Sequence, residues 1–369
     1  MKKRLVLVCE IGSSCIRAMV AGRGINNTFK VKGYKEVEYD GFYEGEFLNV
    51  DKLPVILENL ISDLEIQGER LDKIYIGVPA EFSSVMLTEE SINFGMRRKV
   101  KQEDIDYLYY MAGEKSKNSE VEVVSISPIS YVLDGYNTND PLGESGAILS
   151  TNLSVIYADR KFIELFNNIT SGLGFSSVEY ISESLAQAQF ILPQEKREEL
   201  SLIVDGGDLT TSIAFVKGEG LTALTSFSRG GGFITNDLAE AFDLSLAEAD
   251  RLKRQIVLSL KGGQNDCYEL VTDLGKVTRI SLNFTNEVVA YRIDELSEVI
   301  SKCIQMNTKQ FDSYLYVYLT GGGISKIKGG RDYLAKCLGK NVSYGVPNIP
   351  GKEKPELASI YSLVNSALK

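Results

Sequence analysis

Apolar runs that stop at an acidic residue and a glycine-containing turn set the pattern of this chain. Residues 5–9 (LVLVC) are continuously apolar and predict a buried strand, ended by Glu10-Ile11-Gly12-Ser13-Ser14 before a second strand-like run at 16–21. The arrangement returns about 195 positions later. There an apolar run ends in Asp205, a turn follows at Gly206-Gly207-Asp208-Leu209, and Thr210 and Thr211 lead into a second apolar run at 213–216. Each copy predicts a β-hairpin. The repetition of strand, acid, glycine, hydroxyls and strand suggests a duplicated unit with two similar loops facing one ligand.

Between and after the hairpins, strand and helix signals alternate. Helical spacing predicts a helix over 50–64, and a short strand follows at 74–78. From residue 80 the texture changes to short strands at 84–87, 122–126 and 130–133 around one helix at 102–112. This reads as a small α+β insertion of about 80 residues, with Arg97-Arg98-Lys99 a solvated loop. A strand at 153–157, a helix at 160–171 and a strand-like 178–181 lead to a helix over 182–191. That helix carries Glu183 and the small residues Ala186 and Ala188, which suit close packing. After a strand at 221–226, Gly230, Gly231 and Gly232 precede a helix. Helices at 245–253 and 286–306, a buried strand at 315–319, the turn Thr320-Gly321-Gly322-Gly323 and a last helix from 355 complete the pattern. The class is α/β.

Composition narrows the function. The chain has 369 residues, enough for two domains or more, with 44% hydrophobic and 24% charged residues, as in soluble globular proteins. A net charge of −10 argues against nucleic acid as the main partner, since that binding rests on basic patches. No apolar run reaches the length of a membrane span. The apolar run after the basic start is too short for a secretory leader and meets Glu10, so a cytoplasmic protein is expected. Histidine is absent and the five cysteines show no C-x-x-C spacing, which excludes His-based catalysis and disfavours a zinc site.

Chemistry therefore falls to carboxylates, hydroxyls, lysines and bound metal, and the hairpin turns collect such groups. Amides of a glycine turn can point at a phosphate, hydroxyls can donate to it, and an aspartate can hold Mg²⁺ or its water. An ordinary exposed hairpin also carries Asp-Gly and Thr, so the turns alone leave both readings open. Likewise, three glycines before a helix either admit a phosphate to the helix amides or form a plain turn.

The series EIGSS (10–14), SESLAQA (182–188), DGGDLTT (205–211) and LTGGGISKIKG (319–329) resembles the actin, Hsp70 and sugar-kinase superfamily of ATP-binding proteins. Within it, RGGGFITNDLAEAF (229–242), LAEADRLK (246–253) and NEVVAYRIDEL (286–296) are similar to the FtsA family of bacterial cell division. So are KVKQEDIDYLYYMA (99–112), PISYVLDG (128–135) and DPLGESG (140–146) in the insertion. The resemblance covers nearly the whole chain. It implies an actin-like fold of two RNase H-like halves around a nucleotide cleft, with an FtsA-type α+β insertion subdomain. The implied division is 1–80, 152–196 and 354–369 for the first half, 81–151 for the insertion, 197–228 and 302–353 for the second half, and 229–301 for a helical subdomain over the cleft.

The same resemblance implies ATP and Mg²⁺ as ligands. Gly12, Ser13 and Ser14 resemble the first phosphate loop, and Gly207, Thr210 and Thr211 the second. Gly230 and Gly231 resemble a glycine pair near the phosphates, and Gly321, Gly322 and Gly323 a loop passing under the adenosine. Asp250 and Lys253 fall where the superfamily places polar contacts to ribose and adenine. Asp205 and Glu183 stand as hydrolysis-supporting carboxylates, and Glu10 and Asp205 as Mg²⁺ partners through water. Implied partners are an FtsZ-like tubulin homologue or other division proteins and further copies of the chain in filaments. Arg251, Lys253 and Arg254 offer a surface for an acidic tail, or simply solvated helix charge. Localisation at the division site, or at the membrane through a partner, follows from the same likeness.

Four departures qualify this reading. Glu10 stands where the first loop usually has Asp. Asp208 and Leu209 replace small residues, as an apparent insertion that brings a carboxylate beside the phosphates. Ser212 replaces a common Asp, and residues 356–368 are too weakly basic for a membrane-binding amphipathic helix. The expected function is an ATP-binding scaffold of cell division with weak or no hydrolysis. The alternatives are a scaffold of another envelope machine, as PilM is for pili, a small-molecule kinase, or a degenerate member that binds no nucleotide.

Overall fold

The fold is given by a computed structural model, which describes residues 5–24, 28–64, 71–308 and 315–369. The basic residues 2–4 lie outside the described part.

In chain order, β1 (Leu5–Ile11), β2 (Cys15–Arg23) and β3 (Phe29–Glu38) form an antiparallel meander. A two-strand ribbon, β4 (Phe42–Tyr43) and β5 (Glu46–Phe47), leads to α1 (Leu53–Ser62) and β6 (Lys73–Val78). The insertion comprises β7 (Ser83–Lys99), α2 (Gln102–Lys115), β8 (Val121–Leu133), β9 (Tyr136–Thr138) and β10 (Ser145–Asp159). Next come α3 (Arg160–Gly172), β11 (Ser177–Ser182), α4 (Glu183–Ile191) and α5 (Gln194–Glu198). The second meander is β12 (Ser201–Gly206), β13 (Thr211–Lys217) and β14 (Gly220–Phe227). The chain continues with α6 (Gly231–Phe242), α7 (Leu246–Gln255), the hairpin β15 (Cys267–Val271) and β16 (Val277–Ser281), and α8 (Leu282–Asn307). It closes with β17 (Tyr316–Thr320), α9 (Gly330–Leu338), β18 (Val342–Tyr344) and α10 (Ala358–Ala367).

Two five-stranded sheets share one topology. The first has the order β11-β6-β1-β2-β3 and the second β14-β13-β12-β17-β18. Each joins an antiparallel meander to two parallel strands through its first strand. The anticipated duplication is therefore one of whole half-domains. β1 is buried on both faces, which is why it reads as an unbroken apolar run. Leu7, Cys9 and Ile11 meet α1 and α3 through Leu57 and Phe162, while Val6 and Val8 meet α10 through Ile360 and Val364.

α4 lies between the halves. Ala186 packs in the core of the first sheet, whereas Leu185 and Ala188 pack with Ile203 and Ala214 of the second. Small residues let it sit close to both.

The insertion differs from the sequence expectation in strand length. The short segments at 84–87, 122–126 and 130–133 belong to the long strands β7 and β8, and the strand expected at 153–157, beyond the insertion, is the end of β10, which pairs with both in the order β7-β10-β8-β9. Arg97-Arg98-Lys99 ends β7 instead of forming a loop, and Arg98 forks onto Asp104 at 2.7 and 2.8 Å.

Candidate functional site

The two hairpin turns share one backbone plan. In the first, Ile11 pairs Ile16 and the Gly12 N–H donates to the Cys15 carbonyl at 3.0 Å. In the second, Gly206 pairs Thr211 and the Gly207 N–H donates to the Thr210 carbonyl at 2.9 Å. The loops are equal in length, so Asp208 and Leu209 are substitutions within the plan and not an insertion. Between the turns opens a cleft of about 930 Å³. Its wall includes Glu10, Gly12, Ser13 and Ser14 from one half, and Asp205, Gly207, Thr210 and Gly321 to Gly323 from the other.

Three carboxylates meet at its floor. Glu10 is the penultimate residue of β1 and is buried. Its Oε1 accepts from Arg17 Nη1 at 2.8 Å, while its Oε2 is buried with no hydrogen-bond partner among the described residues. Burial pushes the Glu10 carboxyl up to about 7; Arg17 pulls it down, and the Asp205 and Glu36 carboxylates raise it further. Asp205 Oδ2 accepts from Gln187 Nε2 at 2.6 Å, and burial raises its carboxyl against the pull of Gln187 and Arg17. Glu183 accepts from the Ile11 N–H and from Ser359 Oγ, each at 3.3 Å. Burial, then Glu10 and Asp205, push the Glu183 carboxyl well above the usual range. Gly77 makes room for it: a Cβ there would stand 2.5 Å from Glu183 Oε1.

Such a set of acids suits a hydrated divalent cation, which would relieve the mutual repulsion and whose waters would donate to the free oxygen of Glu10. Among the described residues no group of three or more His, Cys, Asp or Glu side chains stands at ligating spacing, so contact through water fits the set better than direct ligation.

Not all the sequence-derived residues face the cleft. Thr211 is buried and its hydroxyl donates to the Arg229 carbonyl at 2.5 Å. With Gly230 and Gly231 it lines a separate cavity of about 270 Å³ against α8. Gly230 and Gly231 serve backbone packing: the Gly231 N–H donates to the Gly207 carbonyl at 2.9 Å, and a Cβ on Gly231 would stand 2.5 Å from Gly323 Cα. The Gly232 N–H donates to the Asp208 carbonyl at 2.8 Å. The first amides of α6 are thus spent on the second loop. The Asp208 carboxylate lies over the same helix end, its oxygens 3.2 and 3.3 Å from where a Gly232 Cβ would be, in favourable dipole surroundings.

Lys253 and Asp250 do reach the cleft. Lys253 is buried, its Nζ donating to Thr235 Oγ1 at 2.6 Å and Gly231 O at 3.1 Å and pairing with Asp250 at 3.2 Å. It is therefore no part of an exposed surface for an acidic tail. Arg251 and Arg254 are committed to Asp273 and Asp250, each at 2.6 Å.

Sequence reading missed Arg17, Gln187 and Lys326. Gln187 stands four residues after Glu183 and so on the same helix face, a usable signal. Arg17 is found only from register: Glu10, Arg17 and Glu36 form one rung across β1, β2 and β3.

Comparison with known proteins agrees with this architecture. A family profile described as "Cell division protein FtsA" matches residues 202–362, and one described as "SHS2 domain inserted in FTSA" matches residues 84–157. The cell division protein FtsA of Streptococcus pneumoniae serotype 2 is 23% identical over 96% of this chain and 78% of its own length. That of Bacillus subtilis is 21% identical over 99% of this chain and 84% of its own length. Among solved structures, a PilM–PilN type IV pilus biogenesis complex aligns with a TM-score of 0.67 at 17% identity, over 99% of this chain and 98% of that one. MreB 5 of Spiroplasma citri bound to AMPPNP aligns at 0.57 and 11% identity, over 98% and 95%. At these identities the structures speak for the fold.

Proposed function

Because the chain belongs to the FtsA-like cell-division proteins of the actin superfamily, we propose that it is a nucleotide-binding scaffold of the division apparatus. On this reading it binds ATP with Mg²⁺ and hydrolyses it weakly or not at all. The observation that carries the reading is the pair of turns with one hydrogen-bond plan, facing each other over the buried Glu10 and Glu183 carboxylates and the half-buried Asp205. Gly12, Ser13, Ser14, Gly207 and Thr210 would border the phosphates, and Glu10 and Asp205 would hold the hydrated cation. The cation would supply charge neutralisation for the phosphate oxygens.

Weak hydrolysis follows from the acids themselves. A general base must be ionised to take a proton from water, whereas burial and the neighbouring Glu10 and Asp205 carboxylates favour the neutral form of Glu183. Asp205 is also tied to Gln187. Calorimetry with ATP–Mg²⁺ and a phosphate-release assay test both halves of the statement. Micromolar affinity with negligible turnover is expected; no heat of binding at millimolar nucleotide would end it.

A second reading, a member that binds no nucleotide, draws on a specific feature. The Leu209 N–H already donates to Ser13 Oγ at 3.1 Å, and the first amides of α6 are satisfied by loop carbonyls. The same calorimetry separates the two. Binding of an FtsZ tail through residues 229–301 and self-assembly into filaments are part of the proposal. Co-sedimentation with an FtsZ-like protein, and electron microscopy with and without nucleotide, test them.

A further inference from the structure

We propose that Lys326 is the cation through which this chain meets the phosphate groups of its nucleotide. The inference rests on the nucleotide-binding reading and names a residue for it.

The cleft is acidic. Nine carboxylate side chains and five cationic ones line it. A polyphosphate entering that field is repelled unless a cation is free to meet it. Four of the five cations are already committed. Arg17 is held between Glu10 at 2.8 Å and Glu36 at 2.9 Å. Lys253 is buried on Thr235, Gly231 and Asp250. Arg254 and Arg251 are each paired at 2.6 Å, with Asp250 and Asp273. Lys326 alone of the five makes no hydrogen bond or ion pair among the described residues.

Its position suits the task. It follows the triple-glycine turn after β17, where Gly321 has φ +76° and its carbonyl accepts from the Ser325 hydroxyl. The end of the lysine lies against Gly322: a Cβ there would stand 3.2 Å from Lys326 Cε and 3.4 Å from Nζ. So Gly322 leaves space for a side chain of its own loop. Lys326 comes from the second half, yet its charge acts on Glu36 and on the Cys15 thiol of the first. The lysine thus lines the same cleft as Gly12, Ser13 and Ser14 of the first turn, within electrostatic reach across the gap that a nucleotide would fill.

The test compares ATP–Mg²⁺, ADP–Mg²⁺ and adenosine by calorimetry on the whole chain, with Lys326→Ala and Lys326→Arg beside the parent. Lys326 is exposed, and matching unfolding curves establish that the variants are folded. Lys326→Ala should weaken ATP and ADP binding by about tenfold or more and leave adenosine unchanged, as expected on losing a charge-assisted contact to phosphate. Lys326→Arg should stay within about threefold, since the charge remains. Unchanged ATP affinity in Lys326→Ala overturns the inference while nucleotide binding stands. An equal loss for adenosine also overturns it, because the contact would then be to sugar or base. If the parent binds no ATP–Mg²⁺, the nucleotide reading fails and this inference falls with it.

Discussion

The two turns that face each other across the cleft have the same backbone and opposite means of support. Around the first, charge is balanced within the sheet, where Glu10, Arg17 and Glu36 form a rung over three strands. Around the second, Asp205 receives a neutral donor, Gln187, from a helix outside its sheet, and the turn is backed by glycines packed backbone to backbone. One loop is held by electrostatics and the other by close approach. Substitutions should therefore fail differently in the two halves.

The largest effect is expected in the first. Arg17→Met leaves Glu10 buried without its counter-charge, and breaking such a pair costs about 3–5 kcal/mol. Urea unfolding measures this, and the double change Glu10→Gln with Arg17→Met should recover most of the loss. A single change costing less than about 1 kcal/mol, the range of exposed pairs, would remove charge balance as the support of this loop.

A pH titration sharpens the same contrast. The Glu10 carboxyl moves from 4.5 to about 7 on folding, so the folded state binds more protons between those values. Stability from this group is full below the unfolded value and is lost as pH rises through the folded one. Without nucleotide or Mg²⁺ the chain should lose about 2–3 kcal/mol between pH 4.5 and 7.5 from Glu10. Glu183 and Asp205 act in the same direction. Glu10→Gln should flatten much of the slope; a slope unchanged in that variant assigns the effect elsewhere.

The second loop should break through packing. Gly231→Ala drives a methyl group against Gly323, where backbone has to shift, and overpacking of this kind costs about 1–3 kcal/mol. Gly172→Ala, with nothing within 4 Å of the new Cβ, is the matched control and should be close to neutral by thermal unfolding. Equal losses in the two variants would mean that the glycine stack supports nothing.

What the sequence made legible follows from the same physics. The hairpins could be read because buried strands are unbroken apolar runs and turns need glycine, both local properties. The twin half-domains were visible as the echo of Glu10-Ile11-Gly12 in Asp205-Gly206-Gly207. Long strands of the insertion read as shorter pieces because β7 alternates with exposed polar positions and contains Gly95, and β8 is interrupted by Pro128. The roles of Gly230 and Gly231 were not legible, since a glycine needed for a phosphate and one needed for another backbone look alike in one dimension. Arg17 stayed hidden because its partners are set by strand register, and Thr211 because only the fold decides which way a strand hydroxyl points.

The smallest effect concerns the bond that joins the loops. The Leu209 N–H donates to Ser13 Oγ at 3.1 Å across 196 positions of sequence. Ser13→Ala should cost about 1 kcal/mol in the nucleotide-free chain, the usual net worth of one hydrogen bond. With ATP–Mg²⁺ present, the deficit should grow, because a hydroxyl that turns to a phosphate oxygen contributes to binding as well. Thermal unfolding of parent and variant, each with and without nucleotide, measures both quantities. A deficit that is the same in all conditions makes Ser13 a latch between the halves only, and the two loops then differ in chemistry as well as in support.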